Sequence, residues 1–164
     1  LHSPKKLLIQ QDLQPPGALD TLVYAFKDFI EYNPQPEKAF AFESINVGTG
    51  GCFGECPIFE MAVNKGGSAS YDAKEFNDKK GKFSGTIPNK ELAELIALLS
   101  YLKIETLKGR YQGGWTDDQT ITLRIQYNGK TKTFSDYGEI GTYGLMALYS
   151  RFFDFRHTID WQKF

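Results

Sequence analysis

The run Gln119-Thr120-Ile121-Thr122-Leu123-Arg124-Ile125-Gln126-Tyr127-Asn128-Gly129-Lys130-Thr131-Lys132-Thr133-Phe134-Ser135-Asp136-Tyr137 holds two strand-like arms around an Asn-Gly pair. Asn-Gly accepts the left-handed backbone of a type I′ turn, so residues 119–127 and 131–137 are predicted to form an antiparallel hairpin. Working outward, residues 39–47 alternate loosely between apolar and polar. Residues 58–64 do so again, with Phe59, Met61 and Val63 on one face. Lys65-Gly66-Gly67 supplies positive φ at little cost, and residues 68–73 can return antiparallel. Residues 81–87 are a further strand candidate. Pro88 suits a first helical position, and Leu92, Leu95, Ile96, Leu99 and Leu102 form the apolar stripe of a helix over 88–102. A second helix is expected over 142–155, with Leu145, Met146, Leu148, Tyr149, Phe152 and Phe153 on its apolar side.

Upstream, Pro15-Pro16-Gly17 precedes a stripe of Leu19, Leu22, Val23, Phe26, Phe29 and Ile30 that reads as an amphipathic helix. Residues 33–38 carry two prolines and read as a linker. The expected organisation is therefore an N-terminal helix and linker over 1–38, readable as the remnant of an upstream module, and an α+β domain over 39–164. In that domain an antiparallel sheet of about five to six strands packs against two or three helices. Residues 17–29 and 144–155 are both glycine-led, aromatic-rich helices, which reads either as a repeated closing element or, more plainly, as two core-facing helices with the same patterning.

Composition sets the function classes. At 164 residues the chain has the length of one domain, and 19 Lys plus Arg against 20 Asp plus Glu leave a net charge of -1. No global basic field exists to hold a phosphate backbone, so nucleic acid is not an expected partner. No apolar run approaches the ~18 residues of a spanning helix. The chain opens on Leu1 with no charged-plus-apolar leader, as a mature protein or a piece of a longer one does. The glycines form neither a phosphate loop nor a dinucleotide fingerprint, no serine lies in Gly-x-Ser-x-Gly, and His2 and His157 are the only histidines. No cofactor and no catalytic residue is expected, and enzymatic activity is disfavoured.

The chemically pointed segment is Gly48-Thr49-Gly50-Gly51-Cys52-Phe53-Gly54-Glu55-Cys56-Pro57. In extended chain, cysteines four apart would hold their Cα atoms about 13 Å from one another, against the roughly 4.4 to 6.8 Å of a disulfide, so the loop must curl if it bridges. The residues alone leave three readings open: a structural disulfide, a redox-active dithiol, and a soft-metal clip for Cu(I) or Zn(II). A dithiol should place one thiol at a helix N-terminus, whereas strand signals follow Pro57. A clip needs further ligands, and only Glu55 nearby and His157 far along the chain offer themselves. Cys56 with His157 and Asp160 is a weaker nucleophile arrangement, and His157 beside Arg156 reads more simply as an ion-paired or solvated terminal residue. The Cys-x-x-x-Cys-Pro spacing is similar to that of copper-delivery proteins of the thioredoxin fold, although the strand-then-helix context of that motif is missing here.

Cys52-Phe53-Gly54-Glu55-Cys56-Pro57-Ile58-Phe59, with the glycine hairpin, Tyr71, Gly81, the helix over 88–102, Tyr111, Asp118 and Asp136-Tyr137, resembles a bacterial family of secreted or envelope proteins of unknown function. Its members share a Cys-aromatic-Gly-x-Cys-Pro-x-aromatic signature. The likeness spans residues 42–161 and leaves the first forty outside. It implies an exported α+β domain, in the periplasm, as an outer-membrane lipoprotein or outside the cell, with a lipid anchor or further modules as expected attachments. By compartment it favours the Cys52–Cys56 disulfide, and it brings no activity, substrate or cofactor.

One other segment combines chemistry-bearing side chains: Arg110-Tyr111-Gln112-Gly113-Gly114-Trp115-Thr116-Asp117-Asp118, a turn-rich loop between helix and hairpin. Tyr111, Trp115, Asp117 and Asp118 form a candidate ligand surface, with Trp as a platform and carboxylates as acceptors for protein or carbohydrate at the cell surface. The plainer reading is a surface loop whose Trp covers the core and whose Asp side chains satisfy the turn. Asp117 and Asp118 are poor as a catalytic pair, because adjacent residues point apart. Lys79, Lys80 and Lys82 read as a solvated turn. The expected function is an exported, non-enzymatic binding or structural module braced by a disulfide, the alternative being a thiol redox or copper-handling protein.

Overall fold

A computed structural model describes residues 40–164. The helix and linker expected over 1–38, and the helix echo that involves them, lie outside the described residues. Eight strands and two helices follow in the order β1 (Phe42–Thr49), β2 (Phe59–Asn64), β3 (Ser68–Ala73), β4 (Gly81–Thr86), α1 (Asn89–Tyr101), β5 (Arg110–Gln112), β6 (Thr120–Tyr127), β7 (Lys130–Tyr137), α2 (Tyr143–Thr158) and β8 (Gln162–Lys163). They form one sheet in the order β5-β7-β6-β1-β2-β3-β4-β8. The fold is α+β as expected, with more strands than the five to six read from the sequence. The additional ones are the short edges β5 and β8. β5 also breaks the all-antiparallel expectation, since Arg110, Tyr111 and Gln112 run parallel to Ser135, Asp136 and Tyr137. Three residues without alternation carry no strand signal of their own, and β5 exists because β7 offers it a ladder.

Cross-strand partners explain why the sheet has a wet and a dry face. Leu123, Val47, Met61, Tyr71 and Phe83 lie in one row across β6, β1, β2, β3 and β4, all buried. The neighbouring row, Arg124, Asn46, Ala62, Ser70 and Ser84, is polar apart from Ala62, and none of the five is buried. Period-two alternation therefore places the large apolar residues of these five strands on the side that the helices cover. Leu92, Leu95 and Leu99 of α1 and Leu145, Leu148, Tyr149, Phe152 and Phe155 of α2 complete that layer. Phe153 meets Phe59 edge-on at 5.5 Å, and Trp161, just after α2, lies 5.1 Å from Tyr71.

The turns follow their residues. Asn128 and Gly129 take φ of 49° and 69°, and the Asn128 side-chain oxygen accepts from the Ala41 amide at 2.7 Å, so the hairpin turn also anchors the start of β1. Pro88 stands in extended backbone one residue ahead of α1 instead of inside its first turn. Thr142 caps α2, its hydroxyl accepting from the Leu145 amide.

Candidate functional site

Between β1 and β2 the chain leaves the sheet as a loop whose two ends are tied by short bonds. The Thr49 hydroxyl donates to the Pro57 carbonyl at 2.7 Å and accepts from the Phe59 amide at 2.9 Å. Above this neck Cys52 and Cys56 are joined by a disulfide, with their Cα atoms 5.8 Å apart. The curl that the bridge needs is provided at Gly54, whose φ of 155° is open to a residue without Cβ. Pro57 leads into β2, so strand and not helix follows the second sulfur.

The cysteine loop does not stand alone. The Phe53 amide donates to the Asp117 carbonyl at 3.0 Å, and the Gly50 amide to the Thr120 carbonyl at 2.8 Å. The joint is Gln119, a buried polar residue at the mouth of β6. Its side-chain amide donates to Gly50 O at 2.8 Å and Pro57 O at 3.0 Å, and its backbone carbonyl accepts from the Gly138 amide at 2.9 Å. One residue thus ties the cysteine loop, the loop over 113–119 and the loop over 138–142. Nothing in the sequence singled out Gln119; the available signal was an amide side chain just ahead of an alternating strand.

The 113–119 loop is shaped by Trp115. Its indole N–H donates to Asp118 Oδ2 at 2.9 Å, and the ring lies so close to Gly113 and Gly138 that a Cβ on either would come within 2.7 to 2.8 Å of it. The ring remains 50% exposed. Asp118 is held from several sides: its Oδ1 accepts from the Gln119 amide at 2.7 Å, and its own amide donates to the Tyr137 hydroxyl at 2.9 Å. The Trp115 and Gln119 bonds hold the Asp118 carboxyl below its ordinary range. Asp117 takes positive φ, 74°, and its side chain accepts from Thr116. Tyr111 is placed differently from its neighbours in sequence. It lies on β5, half buried against the core, and its hydroxyl accepts from the Lys108 amide.

In the third loop Asp136, fully buried, accepts from the amides of Ile140 and Gly141 at 3.0 and 2.9 Å and from the Tyr149 hydroxyl at 3.1 Å. That arrangement turns the chain from β7 into α2. Burial and then the Asp136 carboxylate drive the Tyr149 hydroxyl far above its usual range. Glu139 is raised as well, by desolvation first and then by Asp136 and Asp118. Across the joined loops Phe53 is 89% exposed, Ile140 41% and Tyr143 40%. The sequence offers Tyr111, Trp115, Asp117 and Asp118 as a surface without Phe53, Glu139 or Ile140, because only folding brings those segments to one end of the sheet.

His157 sits elsewhere. Its Nδ1 meets Asp78 Oδ2 at 2.8 Å, and Arg156 approaches its Nε2 at 3.2 Å. Asp160 accepts from Gln162, so Cys56, His157 and Asp160 each have separate partners. Among the described residues no group of three or more His, Cys, Asp or Glu side chains is gathered as a metal ion requires, and no helix is long and apolar enough to cross a membrane.

Comparison with known proteins returns no match among curated proteins. Residues 43–156 match a family described as a domain of unknown function, DUF6438. That span contains the disulfide loop, both helices nearly whole and seven of the eight strands, beginning one residue inside β1. With well over half of its length matched, the chain belongs to the DUF6438 family.

Proposed function

We propose that the protein is an exported, non-enzymatic binding module in which the Cys52–Cys56 bridge braces a loop that presents a ligand surface of Phe53, Trp115, Asp117 and Asp118. The observation that carries this reading is Phe53. An aromatic ring between two half-cystines is left 89% exposed while its backbone is fixed to Asp117, although exposing a large apolar side chain gains the fold nothing. Rigid presentation of an exposed ring lowers the entropy lost on binding, which is what a recognition loop needs. Sulfur chemistry with turnover is disfavoured by the strand that follows Pro57, since a reactive thiol is activated at a helix N-terminus or beside a cation. Export is supported by the bridge, which persists in oxidising compartments.

The test is an alkylation of the protein in its source cells, followed by mass measurement. Unmodified cysteines before reduction and two modified ones after it are expected. Two alkylated thiols without reductant would remove both the brace and the export reading. In parallel, Phe53→Ser is expected to leave the unfolding free energy within about 0.5 kcal/mol of the parent, as for a residue outside the core, and a loss of several kcal/mol would reassign the ring to folding.

A further inference from the structure

The geometry points to a basic, apolar polypeptide segment as the partner of the surface formed by the cysteine loop, the loops over 113–119 and 138–142 and the first residue of α2, an assignment that rests on the binding reading above. The apolar part of the argument is Phe53, Trp115 and Ile140, exposed large side chains on three loops that Gln119 binds together, with Tyr143 exposed at the start of α2 beside them. Scattered surface apolar residues need no explanation, but a group on adjoining, rigidly held loops marks an interaction surface. The charge around it selects the partner. Residues 50–57, 113–119 and 138–143 carry Glu55, Asp117, Asp118 and Glu139 and contain no Lys, Arg or His, in a chain whose charges nearly cancel overall.

None of these four carboxylates meets a Lys, Arg or His within ion-pair distance among the described residues, where Glu60, Glu75, Glu94 and Glu105 each do. The negative charge is felt within the group, since Asp136 and Asp118 raise the Glu139 carboxyl. Such a field steers a cationic partner inward and repels an acidic one, and the aromatic rings on the same loops attract Lys and Arg through their faces as well as by apolar contact. A polypeptide that interleaves Lys or Arg with Leu or Phe meets both requirements.

The experiment follows backbone amide resonances of the oxidised full chain during titration with three probes: a synthetic decapeptide alternating Lys and Arg with Leu and Phe, its counterpart with Glu at every basic position, and a β-linked glucose hexasaccharide. The basic peptide is expected to shift amides of the three loops and the Glu peptide to leave them in place. Glu55→Gln with Glu139→Gln should weaken the basic peptide about fivefold, as rim charges do, and Phe53→Ser, with its unchanged strand amide resonances serving as the control for folding, by about tenfold or more. Shifts from the hexasaccharide without shifts from the basic peptide would overturn the basic partner and keep the binding surface. Basic-peptide shifts confined to other acidic parts of the molecule would overturn the assignment. No response of these loops to any probe would overturn both it and the binding reading.

Discussion

Asp136 shows how one buried charge can organise a turn. It is fully buried, yet two amides and the Tyr149 hydroxyl surround its carboxylate, and hydrogen bonds to a charged group are the stronger kind. Tyr149→Phe deletes one donor and no packing, so a loss of about 1 to 3 kcal/mol is expected in denaturant unfolding. Asp136→Ala should cost more, because the Ile140 and Gly141 amides lose their acceptor as well. Glu139 behaves in the opposite sense. Its carboxyl is raised, so ionisation is penalised in the folded state. The penalty is absent below the ordinary glutamate range, grows as pH climbs toward the raised value and is complete at neutral pH. Glu139→Gln should therefore stabilise at neutral pH, by roughly a few tenths of a kcal/mol because water screens an exposed residue, and give no gain near about pH 3. A stability difference that does not depend on pH would show that the penalty on ionising Glu139 is not the cause.

Elements differ in how far they could be read from sequence. The β6–β7 hairpin was legible because Asn128 and Gly129 dictate their own backbone. α1 was legible because its leucines recur at helical spacing. β5 and β8 were not, because three and two residues leave no pattern and their strand character comes from a neighbour's ladder. The approach of Trp161 to β4 was equally hidden: a Cβ at Gly85 would meet that indole at 2.9 Å. Gly85→Ala is expected to destabilise by about 1 to 3 kcal/mol, as overpacking does, and a parallel Gly114→Ala, where nothing lies within 4 Å, by far less. Thermal unfolding of the two variants separates steric cost from loss of glycine itself. The cysteine loop was legible as a bend but not as one member of three joined loops, since Gln119, the residue that joins them, has no motif.

For the whole molecule, the decisive asymmetry among the described residues is a sheet with helices on one face and none on the other. Asn46 and Val47 are neighbours on β1 and point to opposite sides, one exposed and the other 1% exposed. Asn46→Lys should change the unfolding free energy by less than about 0.5 kcal/mol. Val47→Asp places a charge in the dry layer and is expected to abolish cooperative folding. The face away from the helices holds a shallow cavity of about 440 Å³ among Asn46, Glu60, Ser70, Lys82, Arg124 and Phe164, whereas Phe53 and Trp115, also exposed, stand on joined loops at one end of the sheet. That end depends on the bridge only locally. Thr49 and Gln119 fix the neck of the loop without it, and closing five residues is worth about 2 kcal/mol in the chain-entropy account.

Amide hydrogen exchange at Phe53, in oxidised protein and in the Cys52→Ser/Cys56→Ser variant, tests the brace most directly. The bond from Phe53 to Asp117 should protect that amide when the bridge is present and lose at least tenfold of its protection without it, with β1, β2 and β6 exchanging as before. Equal protection of Phe53 in both proteins would mean that the sulfur link holds nothing in place.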